Sequence, residues 1–301
     1  MKWATVQNQA GEQFVGIVVE DGKTIVHLKK LAELVNWPEK VPDNMLGVIR
    51  RGDSFVHSVQ ELIAEGKKRD IDKEVQYPIS ELRLLAPIPR PAKNIFCVGK
   101  NYREHVREMG SEKIPENLIV FTKPPTAVIG HGEKIPDHSE LTAALDYEGE
   151  LAIVIGKEGK NIPVEESFDY IFGYTIINDI SARDLQSRHV QFFLGKSLDG
   201  SCPMGPWIVD KMELEDPQNL RIETRVNGDI RQNGNTAQMI FPIAEIIATI
   251  SRGMTLEPGD IIATGTPAGV GKGFHPPKFL RTGDVIEISI ENIGTLKNIV
   301  E

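Results

Sequence analysis

The chain has 301 residues, 40% hydrophobic and 26% charged, the composition of a globular protein with room for one large domain or a large and a small one. Its net charge of -9 speaks against a nucleic-acid partner, which favours a basic surface. The opening MKWATVQNQAGEQFVG has no apolar leader core, and no apolar run approaches the roughly 18 residues of a membrane span. Cys97 and Cys202 are too few for a disulfide framework, so a soluble cytoplasmic protein is expected.

Residues 1–85 read as a small N-terminal domain. Phe14–Val19 and Thr24–Leu28 flank the turn Glu20-Asp21-Gly22, the pattern of a hairpin. Helical patterns follow at Leu28–Val35 and Asp53–Gly66. The stretch Leu84–Ala92 carries three prolines in five residues. Proline fixes φ and restricts its predecessor, so this is an extended connector and the domain boundary, with the second domain running over 92–301. That domain is strand-rich, with strands predicted at Ile95–Val98, Glu150–Gly156 and Phe172–Asn178. Arg221–Val226 and Asp229–Gln232 flank Asn227-Gly228, the residue pair of a type I′ hairpin turn. Pro258–Gly265 and Thr282–Ile290 each open with a turn and continue as a strand. Helices are predicted at Tyr102–Met109, Ala182–Phe193 and Ile243–Ser251. The layout is β-rich α+β, not alternating βαβ.

Chemistry enters at LDYEGELAIVI, residues 145–155. Glu148 and Glu150 are two apart at the mouth of an apolar strand, so they share one face. Like charges on one face repel, and burial makes this worse. A shared proton, a cationic side chain or a metal ion relieves it. A lone Glu-x-Glu is usually solvated, but Asp179 also ends an apolar strand, just before a predicted helix. Helix capping is the alternative role for Asp179. Three carboxylates at core strand ends make an all-oxygen site suited to Mg2+, Mn2+ or Ca2+ rather than zinc.

Other groups are weaker on local grounds. His105 and Glu108, three apart, share a helical face and can form an oriented general base; a surface helix with scattered charges also fits. Cys97 near His105 has the look of a thiol nucleophile, but it lies in an apolar run typical of a buried structural cysteine. GTPAGVGKG, residues 265–273, fails as a P-loop because Gly273 stands where Ser or Thr is required. Its glycines instead allow a backbone to approach a small anion closely. Lys123 and Lys196 each follow an apolar run and are either surface residues or cations beside a substrate carboxylate.

Taken in order, VGKNYREHVREMG, VFTKP, DYEGELAIVIGK, FGYTIINDISARDLQ, GKSLDGSCPMGPW, TRVNGDIRQNGNT and GDIIATGTPAGVG resemble the fumarylacetoacetate hydrolase family, over about two-thirds of the chain from Ile95 onward. The likeness is to its smaller acylpyruvase and oxaloacetate decarboxylase-like members. The resemblance implies a mixed β-roll or barrel fold, a homodimer, and Mg2+ or Mn2+ held by Glu148, Glu150 and Asp179. It implies a base formed by His105 and Glu108 on a mobile lid, spanning about 102–117, with Lys123 in the catalytic site. It further implies substrate contacts from Arg183, Gln186 and Lys196, and from Thr266 to the substrate carboxylate. The implied activity is cleavage of a C–C bond in a small 2-oxo acid through a metal-bound pyruvate enolate, by acylpyruvate hydrolysis or oxaloacetate decarboxylation. The alternatives are isomerisation or decarboxylation of a ring-opened 2-hydroxyhepta-2,4-diene-1,7-dioate type of intermediate, and a non-enzymatic metal-bound scaffold.

Overall fold

A computed structural model describes residues 1–19 and 22–301. Glu20 and Asp21 of the expected first hairpin turn lie outside the described residues. In chain order the N-terminal part supplies β1 (Lys2–Gln7), β2 (Gln13–Val19), β3 (Thr24–His27), α1 (Leu28–Val35), α2 (Met45–Lys68), β4 (Gln76–Pro78) and β5 (Arg83–Leu84). Next come β6 (Ile95–Gly99), α3 (Arg103–Glu108), β7 (Ile119–Lys123), β8 (Val128–Ile129), β9 (Lys134–Ile135), β10 (Leu145–Asp146), β11 (Gly149–Ile155) and β12 (Ile171–Asn178). The remainder holds β13 (Ser181–Ala182), α4 (Arg183–Arg188), α5 (Phe193–Lys196), β14 (Cys202–Asp210), β15 (Arg221–Val226), β16 (Asp229–Asn235), α6 (Ile243–Ser251), β17 (Ile261–Ala263), β18 (Val285–Ile290) and β19 (Gly294–Val300).

The fold is mixed, sheet-rich α+β. The main sheet runs β4-β3-β2-β1-β14-β12-β11-β17-β6-β7 and the smaller one β16-β15-β18-β19-β9. Both are open paths, so of the expected roll or barrel the chain forms no closed barrel. The N-terminal strands enter the main sheet through two pairs, Lys2 with Val209 and Trp3 with Ile208.

Strand alternation builds a core on each face of the main sheet. Leu151, Ile153 and Ile155 of β11 pack with Ile222, Ile288 and the apolar stripe of α6. Ala152 and Val154 point the other way, into a cluster shared with Trp3, α1 and α2. No helix among the described residues is long and apolar enough to cross a membrane.

Several elements depart from expectation. The second helix starts eight residues early, at Met45, because the Asn44 side chain caps it by accepting the Gly47 N–H at 2.9 Å. A break at Gly52 (φ 67, ψ -162) divides it from the part expected at Asp53–Gly66. The helix expected over 182–193 stops at Arg188 and resumes at Phe193. Its middle has no core face to bury, and Val190 is 94% exposed. The hairpin at Asn227-Gly228 forms with both φ positive, 53 and 85, as its two-residue turn requires.

Candidate metal centre and active site

β11 and β12 pair antiparallel with Gly149 opposite Asn178. That register brings Glu148 and Glu150, at the start of β11, beside Asp179, just past the end of β12. One oxygen from each of the three buried carboxylates lies within 4.8 Å of the others. The Asn178 side chain fixes the entry by accepting the Glu148 N–H at 3.1 Å, and the Asp179 N–H donates to the Glu148 carbonyl at 2.8 Å.

Three cations surround the cluster. The Lys196 ammonium donates to Glu148 Oε2 at 2.7 Å and to Asp179 Oδ2 at 2.6 Å. Lys123, fully buried, donates to Asp179 Oδ1 at 2.8 Å, to the Ile180 carbonyl at 3.0 Å and to the Lys196 carbonyl. Arg183 pairs through Nη1 with Glu148 Oε1 at 2.7 Å and through Nε with Asp146 Oδ2 at 2.8 Å. Burial alone would raise the Glu148 carboxyl, but the charges of Lys196 and Arg183 outweigh it and hold the group well below the usual carboxylate range. Glu150 behaves oppositely. Burial, then the charges of Asp179 and Glu148, push its carboxyl well above that range. Among the described residues it has no cationic partner, only the Gly265 N–H at 2.9 Å.

The donor set fits a divalent metal. It is all oxygen, buried and convergent, and Glu150 is an anion short of positive charge. Oxygen-only donors suit Mg2+ or Mn2+, and Glu148, Glu150 and Asp179 are the residues that would hold the ion.

A cavity of about 220 Å3 opens onto Glu148 and Glu150. Its apolar wall is Phe121 and Phe192, in edge contact at 5.7 Å. His105, Arg183, Gln186, Lys196 and Thr266 also line it. His105 Nδ1 meets Glu108 Oε1 at 2.7 Å, and Glu108 Oε2 accepts the Gly269 N–H at 2.8 Å. A carboxylate on Nδ1 places the proton of a neutral imidazole there and leaves Nε2 as the basic nitrogen. Arg183 Nη2 is buried without a partner among the described residues, a donor left over for a ligand. The structure gathers every expected site residue into one region. Lys123, however, lies behind Asp179 and does not line the cavity, and the Thr266 hydroxyl proton already goes to the Gly149 carbonyl at 2.9 Å. Cys97 is buried, and burial pushes its thiol well above its ordinary value, which leaves no thiolate nucleophile.

The glycine loop does meet anions through its backbone, but they are the protein's own. Besides Gly265 on Glu150 and Gly269 on Glu108, the Gly271 and Lys272 N–H groups donate to Asp146 at 2.7 and 3.0 Å. Asp146 and Gln232 were not singled out in the sequence. Asp146 is in phase with Glu148 and Glu150, which was a usable signal. Gln232 accepts the Gly149 N–H at 2.9 Å and donates to Thr266 Oγ1 at 2.7 Å, a long-range role with no local signature.

The fumarylacetoacetate (FAA) hydrolase C-terminal family matches residues 94–301. Oxaloacetate tautomerase YisK of Bacillus subtilis (strain 168) is 54% identical over 301 residues, covering 99% of each chain. Among solved structures, a fumarylacetoacetate hydrolase from the psychrophile Exiguobacterium antarcticum superposes with a TM-score of 0.83 at 44% identity, covering 100% of this chain and 99% of that one. Maleylpyruvate hydrolase from Sphingobium sp. SYK-6, solved with manganese(II) and pyruvate, superposes with a TM-score of 0.77 at 30% identity, covering 100% and 98%.

Proposed function

The chain belongs to the fumarylacetoacetate hydrolase family, a family of enzymes, and on that premise we propose that it is a divalent-metal-dependent enzyme of small 2-oxo acids that interconverts the keto and enol forms of oxaloacetate. The observation that carries this reading is a proton-transfer dyad, His105–Glu108, in the wall of the carboxylate cavity, in a chain 54% identical end to end to an oxaloacetate tautomerase. The cavity volume, about 220 Å3, is below the roughly 300–1,000 Å3 of drug-sized pockets, as suits a substrate of a few carbons.

The steps assigned to the chain's own residues are these. Arg183 Nη2 and Gln186 receive the carboxylate next to the 2-oxo group. His105 Nε2 removes a proton from C3, the freed electron pair becomes the C2–C3 double bond, and the imidazolium then gives that proton to the 2-oxo oxygen, which yields the enol and restores the neutral imidazole. Glu108 holds the imidazole and stabilises it while it is charged. A divalent cation supplies Lewis-acid stabilisation of the charge that develops on the 2-oxo oxygen. Lys196 and Lys123 hold the Glu148 and Asp179 carboxylates in position through ion pairs.

A second reading is C–C cleavage, by hydrolysis of an acylpyruvate or decarboxylation of oxaloacetate. It is favoured by the likeness to maleylpyruvate hydrolase, since both reactions pass through the same enolate and the dyad could activate a water instead. Following enol absorbance and pyruvate release together, with oxaloacetate and acetylpyruvate and with Mg2+ or Mn2+, separates them. Tautomerisation predicts rapid loss of enol absorbance with slow pyruvate formation. Pyruvate formed as fast as enol is lost, or rapid acetylpyruvate hydrolysis, would replace it with cleavage. Neither activity would leave a metal-bound scaffold.

A further inference from the structure

Two cations in the cavity wall have no role in the site described above. Lys100 and Lys272 line the same cavity as Glu148, Glu150 and Arg183, and both are half-buried. Among the described residues, neither ammonium has an ion pair or hydrogen bond. The other cations of the site are all matched. Lys123 and Lys196 pair with Asp179, Lys196 and Arg183 with Glu148, and Arg183 with Asp146. Among the described residues, Lys100 and Lys272 are thus the cavity-lining cations left without an anionic partner.

Both are held in place deliberately. Lys100 has φ 56. Every other described non-glycine residue with positive φ is Asn, Asp or His, the types that tolerate that conformation. A lysine there is strained, and such strain concentrates at functional sites. The next residue, Asn101, is fully buried and anchors the turn through the Phe241 N–H at 2.7 Å and the Thr264 carbonyl at 2.8 Å. The backbone of Lys272 is tied to Asp146 at 3.0 Å. At Gly273 beside it, a Cβ would fall 2.4 Å from Glu108 Oε2, so the loop is pressed against the dyad.

We propose that Lys100 and Lys272 form a subsite for the second, distal carboxylate of a 2-oxo dicarboxylate and make the cavity selective for diacids over 2-oxo monoacids. The proposal rests on the reading of the cavity as a 2-oxo acid site and adds which 2-oxo acids it takes. One ammonium comes from the turn after β6 and the other from the glycine loop, so a carboxylate between them gains charge-assisted hydrogen bonds from two independent elements.

The test compares two unreactive 2-oxo acid isosteres on Mn2+-loaded full-length protein by calorimetry. Oxamate carries one carboxylate; N-oxalylglycine adds a second. The native protein should prefer N-oxalylglycine by about tenfold or more, and the preference should shrink as salt is raised. In Lys100→Asn, Lys272→Met and the double variant the preference should fall stepwise towards none. Asn suits the left-handed turn, so Lys100→Asn should also raise the melting temperature while selectivity is lost. A purely structural lysine would not give that combination. Oxamate binding with no preference for the diacid, or a preference unchanged in the double variant, overturns the subsite and leaves the 2-oxo acid reading standing. Failure of both ligands to bind the native protein overturns the 2-oxo acid reading, and the subsite with it.

Discussion

Asp146 is fully buried and accepts hydrogen bonds from Arg183 and from the backbone of Tyr147, Gly271 and Lys272. It therefore couples the arginine of the cavity wall to the glycine loop. Asp146→Asn removes the charge that Arg183 Nε faces and replaces an acceptor oxygen with a donor. Breaking a buried pair by losing one partner costs about 3–5 kcal/mol, so urea denaturation should show a loss of that order. Glu150 gives a second prediction at this scale. Its raised carboxyl pKa means the metal-free fold favours the protonated form. That advantage is complete below the ordinary value of 4.5 and is lost as pH rises through the folded value. Glu148, held low, works the other way: its contribution is present above 4.5 and lost as pH falls through its folded value. Metal requires Glu150 ionised, so protons compete with it. Added Mn2+ should raise the melting temperature more at pH 8 than at pH 5, read by differential scanning fluorimetry; an equal rise at both would contradict the assignment of Glu150.

Among the elements, α3 is the one expected to act as a lid over the cavity. It buries only His105 and Val106, and its end is fastened by Glu108 to Gly269 at 2.8 Å. Glu108→Gln weakens both that fastening and the orientation of the imidazole. It should lower kcat by the roughly 10²–10⁴-fold of a lost general base and speed amide hydrogen exchange over 103–117. A large loss of activity with unchanged exchange would assign Glu108 to chemistry alone. How much of this was legible depended on how local the signal was. α6 was readable to its ends because Ile243, Ile246, Ile247 and Ile250 repeat at helical spacing. The convergence of the three carboxylates was readable because strand parity aligns Glu148 with Glu150 and an apolar strand leads into Asp179. β14 was missed, since Pro203, Gly205 and Pro206 break any strand pattern, although it is the strand that joins the two halves of the main sheet. Lys100 and Lys272 looked like ordinary lysines because their partner is a cavity that only the assembled fold creates.

At the scale of the whole molecule, the apolar cluster under α1 and α2 is shared. Trp3, Val15, Ile17 and Phe55 lie in it together with Ile95, Cys97, Ala152, Val154 and Ile208. Deleting residues 1–85 would uncover the latter group and leave the β1 side of β14 unpaired, an edge that invites association with other chains. The fragment 86–301 should therefore express as aggregate, or elute in the void of a sizing column, where the full chain elutes as a discrete species; a well-behaved fragment with native metal affinity would show that the family-matched part folds alone. The pairing of β11 with β12 has a consequence of another kind. A slip of one residue between two strands turns every side chain of one strand to the opposite face. A chain misassembled in that way would keep its sheet content and its solubility, yet Glu150 and Asp179 would no longer meet. A divalent ion held by this triad would thus act as a proofreader: it would be retained only by molecules in which these strands have found their proper partners, and the fraction of a refolded sample that takes up Mn2+ should count the correctly assembled copies, which spectroscopic measures of β-structure would not distinguish.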